Sequence, residues 1–165
     1  MHGPALAGGC ELALACNITV AAEDARFGEP ELRFGAGIVV MLLPWLAGSK
    51  KAKEILLLGF DDIPAREALE TGMINRVVPT GKTLPTALKL ARQLSVVDPA
   101  VLRQTKAAIN QTMRTMGLDQ ALEEALAADV ALEGTGSDDK REFLARLREG
   151  GLRAALAWRT ARFDV

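Results

Sequence analysis

The stretch that decides the fold reads Gly3-Pro4-Ala5-Leu6-Ala7-Gly8-Gly9-Cys10-Glu11-Leu12-Ala13-Leu14-Ala15-Cys16. Small residues in its first half allow a backbone to approach a ligand closely. The change to leucine and alanine after Glu11 predicts a buried helix that begins at the glycines. The first amides of such a helix carry partial positive charge, so Gly8 and Gly9 are placed to bind a carboxylate, a phosphate or a developing oxyanion.

Two more motifs follow this stretch. The first is Phe27-Gly28-Glu29-Pro30-Glu31, in which Pro30 disfavours helical geometry at Glu29 and predicts a loop or a helix start at Glu31. The second runs Ile63-Pro64-Ala65-Arg66-Glu67-Ala68-Leu69-Glu70-Thr71-Gly72-Met73-Ile74-Asn75-Arg76-Val77-Val78-Pro79. A lone glutamate is usually an ordinary surface carboxylate. Glu31 is a stronger candidate because it stands beside a proline and twenty residues after Glu11.

The three motifs, in this order, resemble the crotonase family, also called the enoyl-CoA hydratase/isomerase family. Its members carry G-x-A-x-G-G-G-x-E-L-A-x-x-C-D, then F-G-x-P-E, then I-x-A-x-E-A-x-x-x-G-L-V-x-x-V-x-P. In this chain Ala7 replaces the first of the three consecutive glycines, and Asn17 replaces the usual aspartate. The resemblance covers nearly the whole chain but only the latter part of the family's domain.

The resemblance implies an α/β protein with the crotonase-like (ClpP/crotonase) fold, a partial ββα spiral followed by a C-terminal helical region. It implies that residues 1–80 form the latter part of the spiral core, with the active-site glutamates, and that residues 81–165 form a helical oligomerisation region. The oligomer implied is a homotrimer or hexamer. Family members precede the glycine-rich motif with further turns of the spiral. Because Met1 stands two residues before Gly3, we expect a truncated chain with an open sheet edge.

Adding water to an α,β-unsaturated acyl-CoA thioester requires a stabilised oxyanion, a base and an acid. The resemblance implies that the Gly8 amide forms half of the oxyanion hole, that Glu11 activates the water and that Glu31 delivers a proton to carbon. Coenzyme A is then part of the substrate, and no further cofactor is expected. The other positions expected to contact the substrate are Ala5, Ala7, Gly9, Ile38 and Val39.

Residues 35–48 depart from the family pattern P-G-A-G-G-T-Q-R-L-P-R-L-V-G. This chain has bulky apolar residues from Ile38 to Leu42 where members have glycines and polar residues. Such side chains remove volume and offer no hydrogen-bond partner. The substitution therefore predicts a preference for a compact hydrocarbon acyl group over a polar one. A buried helical turn is the alternative interpretation of the same residues.

Two functions remain open from the sequence. Retention of Glu11 and Glu31 favours an enoyl-CoA hydratase, a lyase, or an enoyl-CoA isomerase of fatty acid metabolism. The missing first half and the changed acyl loop favour a catalytically silent crotonase-like assembly module. The sequence does not separate hydration from isomerisation.

Composition excludes several other classes. The chain has 165 residues, 49% hydrophobic and 25% charged, as in a globular domain. Its 20 basic and 21 acidic residues nearly cancel, so no global field would attract nucleic acid or a membrane surface. With one histidine and two cysteines, both expected in the core, no metal site is predicted. Without a visible leader or a spanning segment, a cytoplasmic location is expected.

The second half is predicted to be helical. Leucines and other apolar residues recur at helical spacing from Leu84 onward, including Ile109 and Met113. Three helix starts are predicted from capping residues: Ser49, Asp98 followed by Pro99, and Ser137.

Overall fold

A computed structural model describes residues 1–37 and 41–164 of the chain. Within these residues the strands are β1 (Pro4–Leu6), β2 (Val20–Ala22), β3 (Arg26–Gly28), β4 (Ile63–Pro64) and β5 (Arg76–Val78). The helices are α1 (Gly8–Ala15), α2 (Leu43–Leu46), α3 (Gly48–Leu58), α4 (Ala65–Glu70), α5 (Thr83–Ser95), α6 (Pro99–Thr115), α7 (Leu118–Thr135) and α8 (Asp138–Ala161). A 3-10 turn, Glu31–Phe34, follows β3.

The strands form two small sheets. In one sheet β1 pairs in parallel with β3, and β3 pairs antiparallel with β4. In the other sheet β2 pairs in parallel with β5. Because β1 and β3 run in the same direction, Leu6 lies opposite Gly28, and the segments that follow them leave the sheet at the same edge. The glycine-rich motif and the glutamate motif therefore meet there.

The apolar core lies in the first half of the chain. Its largest fully buried side chains include Phe27 of β3, Ile55 of α3 and Leu43 of α2. Alanines of α3 and α4 fill the space between them, and Met73 and Ile74 close the core below β5. Short strands suffice here because the helices cover both sheets and remove their apolar side chains from water.

The second half is helical, as predicted, but it buries little of its own apolar surface. Within the described residues, α5 and α6 contain no buried side chain. Helices α7 and α8 each contain one buried residue, Asp129 and Ala155, and Arg159 Nη2 of α8 donates to Asp61 Oδ2 over 2.8 Å. The proposed division of the chain at residue 80 stays a prediction.

Two of the three predicted helix caps are confirmed. The Asp98 carboxylate accepts hydrogen bonds from the amides of Ala100 and Val101, and the Ser137 hydroxyl accepts one from Lys140. The prediction for Ser49 is wrong, because α3 begins one residue earlier at Gly48 and has no side-chain cap. The prediction that both cysteines lie in the core holds for Cys10 only, since Cys16 ends α1 on the surface.

Ala7, which precedes α1, has a backbone conformation that favours glycine. Its φ is 54° and its ψ is −131°, and it is the one non-glycine residue with positive φ among those described. A Cβ atom in this region contacts its own backbone at a cost of roughly 1–2 kcal/mol. The motif that this stretch resembles has glycine at this position, and Ala7 in its place leaves local strain at the start of α1.

We expect Ala7→Gly to raise the free energy of unfolding by about 1 kcal/mol, because glycine removes the steric cost of the positive φ. Chemical denaturation monitored by circular dichroism measures the change. The matched control is Ala15→Gly, in the last, exposed position of α1, which should lose roughly 0.5–1 kcal/mol. Equal losses in both variants would show that Ala7 is not strained.

Candidate active site

One wall of the site is the start of α1. The Ala7 amide donates to the Gly28 carbonyl over 2.9 Å, which extends the pairing of β1 with β3 by one bond. The Ala7 carbonyl then accepts from the Cys10 and Glu11 amides at 2.8 and 3.0 Å and so closes the first helical turn. Because the helix begins at Gly8, the Gly8 and Gly9 amides precede the internal hydrogen bonds of α1 and point out of its first turn.

The opposite wall is the chain that leaves β3. Gly28 is packed so tightly that a Cβ atom there would lie 2.4 Å from the Phe60 carbonyl oxygen and 2.4 Å from the Asp61 Cα. No side chain fits at that separation, so glycine is required. The next amide, that of Glu29, donates to the same Phe60 carbonyl over 2.8 Å. This contact fixes the direction in which residues 29–31 leave the strand.

Glu31 begins the 3-10 turn, so of the two predicted possibilities, a loop or a helix start, the structure has the helix start. Its carbonyl accepts a hydrogen bond from Ala36 over 3.1 Å, and Gly35 ends the turn with a φ of 75°. The Ser137 hydroxyl, at the start of α8, donates to the Gly35 carbonyl over 2.7 Å. The second half of the chain therefore holds the turn that carries Glu31.

Three carboxyl groups and one thiol converge between the two walls. Glu29 is 1% exposed, Glu31 is 9% exposed and the Cys10 thiol is fully buried. Glu11 is half-buried, and its negative charge acts on both Glu29 and Glu31. A methyl group placed on Gly8 would lie 4.0 Å from Glu11 Oε2, so this carboxylate lies beside the start of α1.

Burial and mutual repulsion make these groups weak acids. Burial, followed by the charge of Glu31, raises the pKa of Glu29 to about 8. Burial is also the largest cause that raises the pKa of Glu31, and the charge of Glu11 adds to it. Burial, together with the nearby Glu29, raises the pKa of the Cys10 thiol and keeps it un-ionised. At neutral pH the Glu29 carboxyl therefore keeps its proton beside the buried Glu31.

This arrangement can transfer protons. A carboxyl that keeps its proton near neutral pH can act as an acid, and a more exposed carboxylate can act as a base. Glu31, whose pKa is raised by burial, fits the role of the acid, and the more exposed Glu11 fits the role of the base. The start of α1 supplies amide donors for an oxygen that gains negative charge.

The predicted substrate contacts differ in where they lie. Gly9 is in the first turn of α1, with open space where its side chain would be. Ala7 precedes α1, whereas Ala5 lies in β1, is 1% exposed and pairs with Phe27. Ile38 and Val39 lie outside the described residues, so the expectation of an apolar acyl pocket stays a prediction.

Glu29 is the residue that the sequence interpretation missed. It occupies the variable position of F-G-x-P-E, which the family motif does not specify. A sequence signal nevertheless existed: a carboxylate next to Pro30 and two residues from Glu31, directly after Phe27 and Gly28. A charged residue that continues a buried strand is unusual enough to examine.

The part of the chain that the structure describes contains neither a cluster of potential metal ligands nor a helix that could span a membrane. No group of three or more histidine, cysteine, aspartate or glutamate side chains there is placed to hold a metal ion. None of the helices in residues 1–37 and 41–164 combines the length and the apolarity that crossing a membrane requires.

Comparison with known proteins defines the class of this chain. The family model described as enoyl-CoA hydratase/isomerase matches residues 1–146. The chain therefore belongs to the enoyl-CoA hydratase/isomerase family, and its fold is the crotonase-like fold.

Individual relatives agree with this assignment. A crystal structure of an enoyl-CoA hydratase/isomerase from Xanthobacter autotrophicus Py2 superimposes with a TM-score of 0.97 at 58% identity, and the match covers 99% of this chain and 61% of that one. The crotonyl-CoA hydratase of Syntrophomonas wolfei is 35% identical over 99% of this chain and 59% of its own length. The short-chain-enoyl-CoA hydratase of Clostridium acetobutylicum is 33% identical over 86% and 54%, respectively. The chain thus spans slightly more than half the length of these relatives.

The buried Glu29 carboxyl predicts a pH dependence of stability. Its pKa is about 8 in the folded chain and 4.5 in the unfolded reference. Below pH 4.5 both states hold the proton. Between these values only the folded state does, so the free energy of unfolding should fall as pH rises through this window, by no more than about 5 kcal/mol.

Glu29→Gln should remove the contribution of this carboxyl, which denaturant titrations at pH 5 and pH 8 can measure. The parent should lose more stability than the variant over that interval. Glu70→Gln, which removes an exposed carboxyl at the end of α4, is the control and should follow the parent. Parallel curves for the parent and Glu29→Gln would contradict a proton held at Glu29.

Proposed function

We propose that this chain carries the acid–base site of an enoyl-CoA hydratase or isomerase that acts on an α,β-unsaturated acyl-CoA thioester. The observation that carries the proposal is the grouping of Glu11 and Glu31 beside the start of α1. The family assignment supports it, since the relatives' names include hydratases of crotonyl-CoA and of short-chain enoyl-CoA.

In the proposed reaction, the thioester oxygen accepts a hydrogen bond from the Gly8 amide. Glu11 removes a proton from water, and the hydroxyl oxygen forms a bond to the β-carbon. The π electrons move towards the thioester, and Glu31 gives its proton to the α-carbon. The proton that Glu11 gained returns to Glu31 before the next turnover, so the carboxyls are not consumed.

The electrostatics of the site support this division of roles. Glu31 is the more buried of the two glutamates, and its raised pKa favours the protonated form that an acid needs. Glu11 is half-exposed, so water can reach it. An isomerase would use the same two groups to remove a proton at one carbon and add it at another.

Helices α5–α8 support a second part of the proposal, that this region packs against further copies of the chain. Ile109 of α6 and Met116, the capping residue directly after it, lie on one side of the helix because seven residues make nearly two helical turns. They are 61% and 65% exposed. Further exposed apolar side chains of this region are Leu84, Leu88, Val101, Leu126, Val130, Leu152 and Phe163. Exposed apolar residues in this number favour packing against further copies of the chain. The family resemblance implies that the assembly is a trimer or hexamer.

Substitution of the two glutamates tests the proposed chemistry. With crotonyl-CoA as substrate, Glu11→Gln and Glu31→Gln should each lower kcat by about 10²–10⁴-fold, the usual contribution of a general acid or base. Loss of absorbance by the conjugated thioester follows the reaction. Circular dichroism confirms that each variant is folded.

Glu70→Gln is the matched control and should keep the parent's rate, because its carboxyl is exposed on α4. Equal rates in the parent and in both site variants would overturn the assignment. A folded parent chain without turnover, with or without the substitutions, would instead favour the silent assembly module.

The oligomer is tested by sedimentation velocity over a hundredfold range of concentration. The parent should sediment as a trimer or hexamer, and the double variant Ile109→Glu with Met116→Glu as a smaller species, because burying two charges in an apolar contact is costly. Leu57→Glu is the control. Leu57 lies in α3 and is 66% exposed, about as much as Ile109 and Met116, and its substitution should leave the oligomer intact. A parent that remains monomeric throughout would exclude this arrangement.

A further inference from the structure

We propose that Glu29 and Glu31 share one proton, so that Glu29 is a positioning residue that stores the proton Glu31 delivers. The inference rests on the proposed function for its catalytic consequence, but the sharing itself is a property of the folded chain. Neither the family motif nor the roles of Glu11 and Glu31 require an acid at residue 29.

The geometry leaves these two carboxyls with few alternatives. Both residues are at least nine-tenths buried, and the Oε2 atom of each lacks a hydrogen-bond partner. Two carboxylates only accept hydrogen bonds, so they cannot satisfy one another. One proton turns one of them into a donor to the other, and besides burial, a hydrogen bond between these two side chains is among the causes that shift the pKa of each.

The groups around Glu29 favour this state. From α1, the Cys10 thiol and the Glu11 carboxylate face it, and neither supplies positive charge. From the segment against β3, Asp61 directs its carboxylate to Arg33 at 3.6 Å and to Arg159 at 2.8 Å. In residues 1–37 and 41–164, no lysine or arginine forms an ion pair with either buried glutamate. A proton is therefore the neutralising charge available to the pair.

A shared proton extends to higher pH the range in which Glu31 can act as an acid. Paired carboxyls lose their protons in two steps that belong to the pair, and loss of the second proton leaves two charges in one buried space. That step is delayed to high pH, in line with the pKa of about 8 at Glu29. Until then a proton can pass from Glu29 to Glu31. When this proton has passed to carbon, Glu29 and Glu31 are both ionised until the proton that Glu11 took from water returns to the pair.

Carbon-13 NMR titration tests the sharing without requiring turnover. The full chain is labelled at the glutamate side-chain carboxyl carbons and titrated from pH 4 to pH 9. In the parent we expect one carboxyl to titrate near pH 8. Glu29→Gln should abolish this titration. Glu31→Gln should lower its midpoint by about one pH unit, because the opposing charge is gone.

Glu70→Gln should leave the midpoint near pH 8 unchanged, since this residue is exposed on α4. Remote effects can shift a midpoint by about 0.3 pH units. If the Glu29 midpoint in Glu31→Gln stays within this range of the parent's midpoint, the two carboxyls do not share a proton. The Glu31→Gln result decides the question even if Glu29→Gln fails to fold.

The pH profile of kcat for crotonyl-CoA tests the catalytic consequence. In the parent, kcat should decline on the basic side of the profile near pH 8. Glu29→Gln should move this decline at least one pH unit lower. The ratio of activity at pH 8 to activity at pH 6 should then be about tenfold smaller in the variant than in the parent. Glu29→Asp, which restores a carboxyl, should return the limb towards the parent. A purely structural role for Glu29 would lower the rate without moving the limb.

The two experiments separate the two proposals. Coupled NMR titrations in a chain without turnover would support proton sharing and reject the proposed function. Turnover with uncoupled titrations, or with an unmoved basic limb in Glu29→Gln, would support the function and reject the role of Glu29.

Discussion

The parallel pairing of β1 with β3 is the constraint on which the site depends. It places the start of α1 and the glutamate motif at one edge, and the hydrogen bond from Ala7 to Gly28 closes that edge. Gly28 must be glycine because the backbone of Phe60 and Asp61 occupies the place of its side chain. The strained Ala7 and the crowded Gly28 therefore have the same origin, which is two turns held close enough to bring Glu11 towards Glu31.

Burying Glu29 and Glu31 opposes folding, because a carboxylate loses its hydration and faces other negative charges there. The apolar core beneath β3 supplies the stabilisation that offsets this cost, and a retained proton reduces it. The Ser137 contact to Gly35 and the Arg159 contact to Asp61 add support from α8. The helical half of the chain thus takes part in the site by holding the 3-10 turn, although it carries neither proposed catalytic glutamate.

In helices α5–α8 the sequence predicts the secondary structure but not the burial of the apolar side chains. Their apolar periodicity correctly predicts helices, since a period near 3.6 residues reports local geometry. It does not report what covers the apolar face. Ile109 and Met116 repeat at helical spacing as core residues do, yet both are exposed in this chain. Burial requires a packing partner, and the sequence of one helix does not contain one.

The sequence by itself determined the order of the motifs, the helix after Gly8 and the turn at Glu31, because glycine, proline and apolar spacing act over a few neighbouring residues. Through the family motifs it also indicated the fold and the candidate glutamates. Tertiary structure alone decided that Glu29 is buried beside Glu31 and Cys10, because that contact depends on how residues distant in sequence pack around the end of β3. The sequence predicted the cap at Asp98 because its carboxylate binds amides only two and three residues away. The raised pKa of Glu29 follows from desolvation, which exists only in the folded chain.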